Sequence, residues 1–149
     1  MANPDVIGKR GSTFEMDVER GKIREFALAT AARDRSYFED QRPVAPPTFL
    51  TTQLAWQGGE PDVLLAADVD FSRGLHGEQE YIFHGPPPRA GTRLTFSSTV
   101  TDMFEKQGRR GGAMTFIVTT TEFRDAEGRL VAEARNTTVE TSAPEEDEQ

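Results

Sequence analysis

Two histidines are the whole imidazole complement of this 149-residue chain, and both fall in one stretch, LHGEQEYIFHGPPPRAGTRL, from Leu75 to Leu94. Histidine is the side chain best suited to move a proton near neutral pH. Read as an unbroken alternating strand, the stretch puts His76, Glu78, Glu80, Ile82 and His84 on one face and Leu75, Gln79, Tyr81 and Phe83 on the other. His76 and Glu78 are then neighbours, and a carboxylate beside an imidazole holds its tautomer and raises its basicity. That makes the pair a candidate for general acid-base work. The plainer reading is a buried polar network that pins a sheet to a neighbouring loop. His84, just before Gly-Pro-Pro-Pro, reads as an exposed turn residue. Nothing is spaced to give the three or four convergent ligands of a first-row metal site. The chain also lacks a Gly-x-Ser-x-Gly elbow, a Walker loop and a Gly-x-Gly-x-x-Gly turn after a strand. Neither a metal nor a nucleotide cofactor is expected.

The bulk composition narrows the classes further. The length fits one domain, and 36% hydrophobic with 28% charged residues is the composition of a globular chain with a real core. Net charge is −8, with four of the negatives packed into Glu145-Glu146-Asp147-Glu148. An acidic balance argues against nucleic acid and anionic membrane surfaces, both of which call for a basic face. The absence of cysteine removes disulfides, thiol nucleophiles and Cys-type zinc sites together. With no signal-like or membrane-length apolar run, the expected location is the cytoplasm.

The elements that must carry the histidines follow from periodicity. Residues 1–12 are expected to be loose. TFEMDVE (Thr13–Glu19) reads as a short strand and GKIREFALATAA (Gly21–Ala32) as an amphipathic helix, with Ile23, Phe26, Ala27 and Thr30 at helical spacing. A proline-closed loop over 33–47 leads to PTFLTTQLAWQ, read as a short buried helix with proline in its first turn. After GGEPD come the His76 strand and three more. GTRLTFSSTVTDMFEKQ places Leu94, Phe96, Val100 and Phe104 on one face, and GAMTFIVTTTEFRD and RLVAEARNTTVET follow. These strands are rich in threonine and valine and are joined by glycine-bearing loops. The order predicts an α+β fold, a curved antiparallel sheet burying one face on a helix, over residues 13–141. The acidic stretch 142–149 is expected to be disordered.

Taken together, RGKIREFALAT, APPTF (Ala45–Phe49), HGEQEY (His76–Tyr81), P-x-x-A-G (Pro87–Gly91) and the closing strands resemble the MaoC-like hot-dog hydratases and dehydratases. More narrowly, they resemble the FAS1-like dehydratase or MaoC N-terminal branch, which includes the non-catalytic subunit of (3R)-hydroxyacyl-ACP dehydratases. The resemblance covers nearly the whole chain. It implies a single hot-dog fold, a dimer of such folds, and an acyl-thioester ligand in a tunnel at the subunit interface. The acyl carrier would be CoA or the phosphopantetheine arm of an acyl carrier protein.

Catalytic members of that superfamily carry a loop of the form Gly-Asp-x-Asn-Pro-x-His after the first helix. The pair suits water addition across an enoyl thioester, which needs a base for the water and an acid for the α-carbon, with a backbone N–H polarising the carbonyl. Here the matching stretch is ARDRSYF (Ala32–Phe38). Arg33 stands in the aspartate's place and Phe38 in the histidine's, and phenylalanine cannot carry a proton. Asp34 lies one position out of register. Arg33 and Arg35 could meet an anion at the tunnel mouth, or pair with Asp34, Glu39 or Asp40. Tyr37, Phe38, Thr48, Phe49 and Trp56 could shape the pocket, although apolar residues on a short helix are more often simple core. Arg109 and Arg110 in KQGRRGG could contact CoA phosphates or an acidic carrier, or form a solvated hairpin tip.

Three functions are open at this point. The chain could be a dyad-lacking subunit that completes a tunnel beside a MaoC-like catalytic partner. It could be a self-sufficient homodimer doing hydration, conjugate addition or thioester hydrolysis with His76 and Glu78 or Asp34, Thr48 or a nearby N–H holding the carbonyl. It could also be a binding module for acyl carriers without chemistry.

Overall fold

The computed structural model describes residues 3–59, 63–108 and 112–142. Its centre is one antiparallel sheet of β1 (Phe14–Asp17), β2 (Gly74–Phe83), β3 (Arg93–Gln107), β4 (Ala113–Arg124) and β5 (Leu130–Thr141), in the spatial order β1-β3-β4-β5-β2. The α+β expectation holds. The β4–β5 hairpin closes on Asp125, whose backbone C=O accepts from Gly128 N–H (2.9 Å) while its carboxylate accepts from Glu127 N–H and Arg129 N–H. Gly128 takes φ 79° there, a left-handed conformation that glycine adopts without a Cβ penalty.

Helix α1 (Arg20–Ala29) covers one end of the sheet's inner face. Its apolar stripe buries Ile23 and Ala27 completely, against a cluster that includes Met16, Phe49, Leu50, Leu94, Phe96 and Phe123. Aromatic contacts knit it together, with Phe26 edge-on to Phe49 (5.6 Å between ring centroids) and Phe96 against Phe123 (5.7 Å). The helix stops short of the expected Ala32. Thr30 Oγ1–H donates to Phe26 C=O, and Ala31 turns left-handed at φ 53°. A one-turn helix α2 (Ser36–Glu39) follows. Phe49–Trp56 is a 3-10 segment rather than an α-helix; Phe49 and Leu50 are buried at its start, and Leu54 is exposed.

At the other end of the inner face lies a second apolar cluster, Val6, Val63, Leu64, Ala67, Val69, Val100 and Ile117. Val6 belongs to the segment expected to be loose. Residues 3–12 are instead tied down: Pro4–Val6 is a 3-10 turn, Gly8 N–H donates to Val100 C=O, Val100 N–H to Lys9 C=O, and Gly11 N–H to Ser98 C=O. The arm thus prolongs β1 along β3 through backbone bonds. The acidic stretch from residue 143 onward lies outside the described residues.

Two β-bulges change which side chains face inward. One lies between His76 and Glu78, the other between Val100 and Asp102. A bulge inserts one extra residue and moves everything beyond it to the opposite face. Phe104, expected beside Val100, therefore lies on the outer face, stacked on Phe116 at 5.0 Å, and Met103 takes the inward place.

The 3-10 turn Phe71–Arg73 launches β2, and Asp70 caps it. The Asp70 carboxylate accepts from the Ser72 hydroxyl (2.6 Å), Arg73 Nε–H (2.8 Å) and Ser72 N–H (3.0 Å). These bonds, the Ser72 hydroxyl foremost, hold its carboxyl at about 2. A depressed folded-state pKa adds stability above the ordinary value of 3.8, and that contribution fades as the pH falls through about 2. Asp70→Asn is expected to lower the urea midpoint at pH 7, with the gap to wild type narrowing from about pH 4 downward and closing below about pH 2. A gap unchanged at low pH would show that the charge is not its source.

Candidate functional site

Between the two apolar clusters the inner face of the sheet turns polar. Successive inward positions on β4 run Phe123, Thr121, Thr119, Ile117, and on β5 they run Ala132, Ala134, Asn136, Thr138. β2 contributes Tyr81, Gln79 and, across its bulge, His76. The 3-10 segment above adds Thr51 and Gln53. Of these rows Thr119, Thr121, Ala134, Asn136 and Thr138, with the β2 and 3-10 side chains and with Ser98, Leu54 and Leu64, line a cavity of about 260 Å³.

A hydrogen-bonded network runs along one wall. Asn136 Nδ2–H donates to His76 Nδ1 (3.2 Å) and to Gln79 Oε1 (3.2 Å), and Asn136 Oδ1 accepts from Thr138 Oγ1–H (3.1 Å). With Nδ1 accepting, the proton of the neutral ring sits on Nε2. On the opposite wall the Ser98 and Thr121 hydroxyls are bonded to each other at 2.7 Å. Burial raises the Tyr81 phenol above its ordinary pKa, the Thr51 hydroxyl working in the opposite direction. Among the described residues no carboxylate lines this cavity.

The bulge at Gly77 overturns the expected His76–Glu78 pair. His76 stands opposite Thr138 and Glu78 opposite Thr137, adjacent residues of β5 whose side chains point to opposite faces. Glu78 is exposed away from the cavity. A Cβ on Gly77 would lie 2.9 Å from Val139 Cγ2 and 3.1 Å from Thr137 O, so this position has no room for a side chain. His84 is exposed at the bend that follows β2, as expected. Its Nε2 lies 2.7 Å from Glu133 Oε2, and this His–carboxylate contact is on the outer face.

The loop residues also fall away from the cavity. The exposed Asp34 accepts from Ser36 N–H (2.9 Å), and these Ser36 contacts hold its carboxyl below the ordinary range, opposite to what a general base needs near neutrality. Phe38 lies under the Arg24 guanidinium, 5.5 Å from its ring centroid. Arg35 pairs with Glu39 and Arg33 is exposed. Tyr37 and Trp56 pack on the first core cluster, Phe49 is within it, and Thr48 is exposed. Trp56 does line a small hollow, on the β1 side beside Glu15, Asp17 and Arg93. Arg109 and Arg110 lie outside the described residues. Of the expected site residues, the cavity therefore gathers His76. Gln53, Gln79, Thr119 and Asn136 were missed, although the run Thr119-Thr120-Thr121 after Phe116-Ile117-Val118 signals polar residues in an inward phase.

A second cavity, of about 460 Å³, opens between the Pro86-Pro87-Pro88 turn and the start of β5, with Arg42 and Arg89 on its wall. Arg42 Nε–H donates to Ala90 C=O and Arg89 Nη1–H to Arg42 C=O. Neither forms an ion pair among the described residues.

A long antiparallel sheet wrapped on one helix, with an inner-face cavity, is the hot-dog fold of the MaoC-like dehydratases. Solved structures share it. A MaoC-like dehydratase aligns with a TM-score of 0.74 at 23% identity over 93% of this chain and 43% of that one. The C-terminally truncated HadBC (3R-hydroxyacyl-ACP dehydratase) complex of Mycobacterium tuberculosis aligns at 0.67 and 24%, over 91% of this chain and 97% of that one. By sequence, the chain belongs to the FAS1-like dehydratase domain family, whose model matches residues 5–134. A UPF0336 protein of Parafrankia sp. is 32% identical over 88% of this chain and 89% of its own. Another from Saccharopolyspora erythraea is 32% identical over 89% and 86%. No helix among the described residues is long and apolar enough to cross a membrane.

Proposed function

We propose that this chain is the acyl-binding, dyad-lacking subunit of a hydratase or dehydratase. Its substrates are enoyl or 3-hydroxyacyl thioesters of CoA or of an acyl carrier protein, and a MaoC-like partner supplies the catalytic aspartate and histidine. One observation carries this reading. The cavity holds a single imidazole and, among the described residues, no carboxylate, while the loop that bears the dyad in catalytic relatives ends in Phe38 under Arg24. Water addition to an enoyl thioester moves two protons, and the base that this lining offers is the His76 imidazole, since burial keeps the neighbouring Tyr81 phenol protonated.

Two further features support a partner. β2 is an edge strand of ten residues whose far side is unpaired among the described residues. Such an edge presents free N–H and C=O groups to another chain. Solved relatives include the HadBC complex and the ChsH1-ChsH2 complex of Mycobacterium tuberculosis, the latter at a TM-score of 0.67 and 18% identity over 93% of this chain and 91% of that one. Arg42 and Arg89 are free to meet the phosphates of the carrier. In this reading the protein works in the cytoplasm, needs no metal or organic cofactor, and takes the carrier as part of its substrate.

The test is hydration of crotonyl-CoA and longer enoyl-CoAs by the purified chain, alone and after co-expression with a MaoC-like protein bearing the intact Asp-His loop. The expected result is no turnover alone, co-purification of the pair, and turnover by the pair. His76 lines the cavity, so the self-sufficient reading makes a contrary forecast. Turnover by the chain alone that His76→Ala abolishes would establish it and overturn ours.

A further inference from the structure

We infer that the part of the acyl group held in the inner-face cavity carries oxygen functions, hydroxyl or keto groups along the chain, rather than a plain alkyl tail. This rests on the acyl-thioester reading and names the substrate class within it.

The sheet itself makes the argument. Its inner face is apolar at both ends, where the α1 cluster and the Val100–Ile117 cluster are built from phenylalanine, leucine, isoleucine and valine. A tunnel for an alkyl tail would continue that composition across the middle. Instead the middle rows present Ser98 and Thr121, then Thr119, Asn136 and Gln79, then Thr138 and His76. Threonine's β-propensity does not explain this belt, because valine and isoleucine fill β strands equally well and occupy the same faces two residues away.

An alkyl chain in this belt would strip water from amides and hydroxyls and give them nothing in return. A polar group buried without a partner is destabilising, and each one left so weakens binding. One lining group already lacks a partner. Gln53 Oε1 is buried and has no hydrogen-bond partner in the structure. Thr119, only 6% exposed, stands on the facing wall. The two residues line the cavity from the 3-10 segment and from β4.

The lining also limits the charge of the occupant. Among the described residues it includes no lysine or arginine, so neither a phosphate nor a carboxylate is matched there. The complement is a neutral group that both donates and accepts, as a hydroxyl does, or accepts, as a ketone does. At about 260 Å³ the cavity lies below the roughly 300–1,000 Å³ of a site for a whole drug-sized ligand. It therefore suits a segment of a substrate whose remainder lies elsewhere.

The experiment is calorimetric titration of the purified 149-residue chain with octanoyl-CoA and with its dihydroxylated counterpart, for wild type, Thr119→Val and Gln53→Met. The two variants lie on different elements, so a folding defect in one leaves the other informative. The hydroxylated ligand is expected to bind on the order of tenfold more tightly to wild type, the margin of one or two net hydrogen bonds. Each variant is expected to shrink that ratio towards one. Octanoyl-CoA binding as tightly as its counterpart, or a ratio that neither variant moves, would overturn this inference and leave the acyl-thioester reading standing. Binding of neither ligand, by the chain or by the pair co-expressed with its MaoC-like partner, would overturn both.

Discussion

Arg73→Met is expected to destabilise the protein by more than the loss of a surface ion pair would, because the carboxylate it pairs with is buried. Arg73 Nη2–H donates to Glu140 Oε1 at 2.9 Å, and the Glu140 side chain is only 2% exposed. The same guanidinium bonds Asp70 through Nε–H (2.8 Å) and the Thr141 carbonyl through Nη1–H (2.7 Å). One side chain thereby ties the turn before β2 to the end of β5. Without it, a buried carboxylate loses this cationic partner and the Thr141 carbonyl loses a donor. Lys22–Glu25, also at 2.8 Å, is the contrast. Both of its side chains are well exposed, and Lys22→Met is expected to leave the urea midpoint nearly unchanged. Urea unfolding of the two variants beside wild type reads the difference. A loss for Arg73→Met no larger than that for Lys22→Met would mean that the pair behaves like a surface pair. The companion variant Arg73→Met/Glu140→Leu should recover part of the loss, because it removes the buried charge as well.

The second large effect is at Gly77. Gly77→Ala is expected to cost about 2 kcal/mol, in the range for forcing a methyl group into a packed site. The methyl would meet Val139 Cγ2 at 2.9 Å and the Thr137 carbonyl at 3.1 Å. The valine is β-branched and buried, and the carbonyl belongs to a paired strand, so neither yields easily. Relief requires the bulge to open, which turns His76 away from Asn136. The variant should therefore lose the His76–Asn136 contact as well as stability, and changed chemical shifts of the imidazole and of the Asn136 side-chain amide in NMR would report it. Gly21→Ala makes the opposite forecast. Its added methyl meets nothing within 4 Å on helix α1, and replacing a helical glycine should stabilise by about 0.5 kcal/mol. A Gly77→Ala protein as stable as wild type, with unchanged His76 chemical shifts, would show that the bulge tolerates a side chain.

Most of the architecture was legible because it is written in side-chain period. Ile23, Phe26 and Ala27 mark the helix, and the alternation in TFIVTTTEF marks β4, where Thr115, Ile117, Thr119, Thr121 and Phe123 are all buried. The arm over residues 3–12 was not legible because its pairing with β3 is made by backbone groups that any sequence carries. The face of Glu78 was misread for a related reason. A period-2 reading assumes an unbroken ladder, and one extra residue reverses every assignment on its far side. Gly77 was the available signal, since glycine inside a strand pattern marks a bulge; Thr101, at the other bulge, offers no such sign. Asn136 and Gln79 were passed over as ordinary strand residues, because what makes them a site is the neighbour across the ladder.

One strand of this sheet belongs to two surfaces at once. β2 sends His76, Gln79 and Tyr81 into the cavity while its outer edge offers its backbone to another chain. A chain that pairs with this edge holds the strand's twist and spacing, and so the positions of those three side chains. The two binding events then share one free energy of coupling, which is reciprocal. Whatever factor an associated chain adds to ligand affinity, the bound ligand must return to the association, so that an assembly loaded with substrate separates less readily than an empty one.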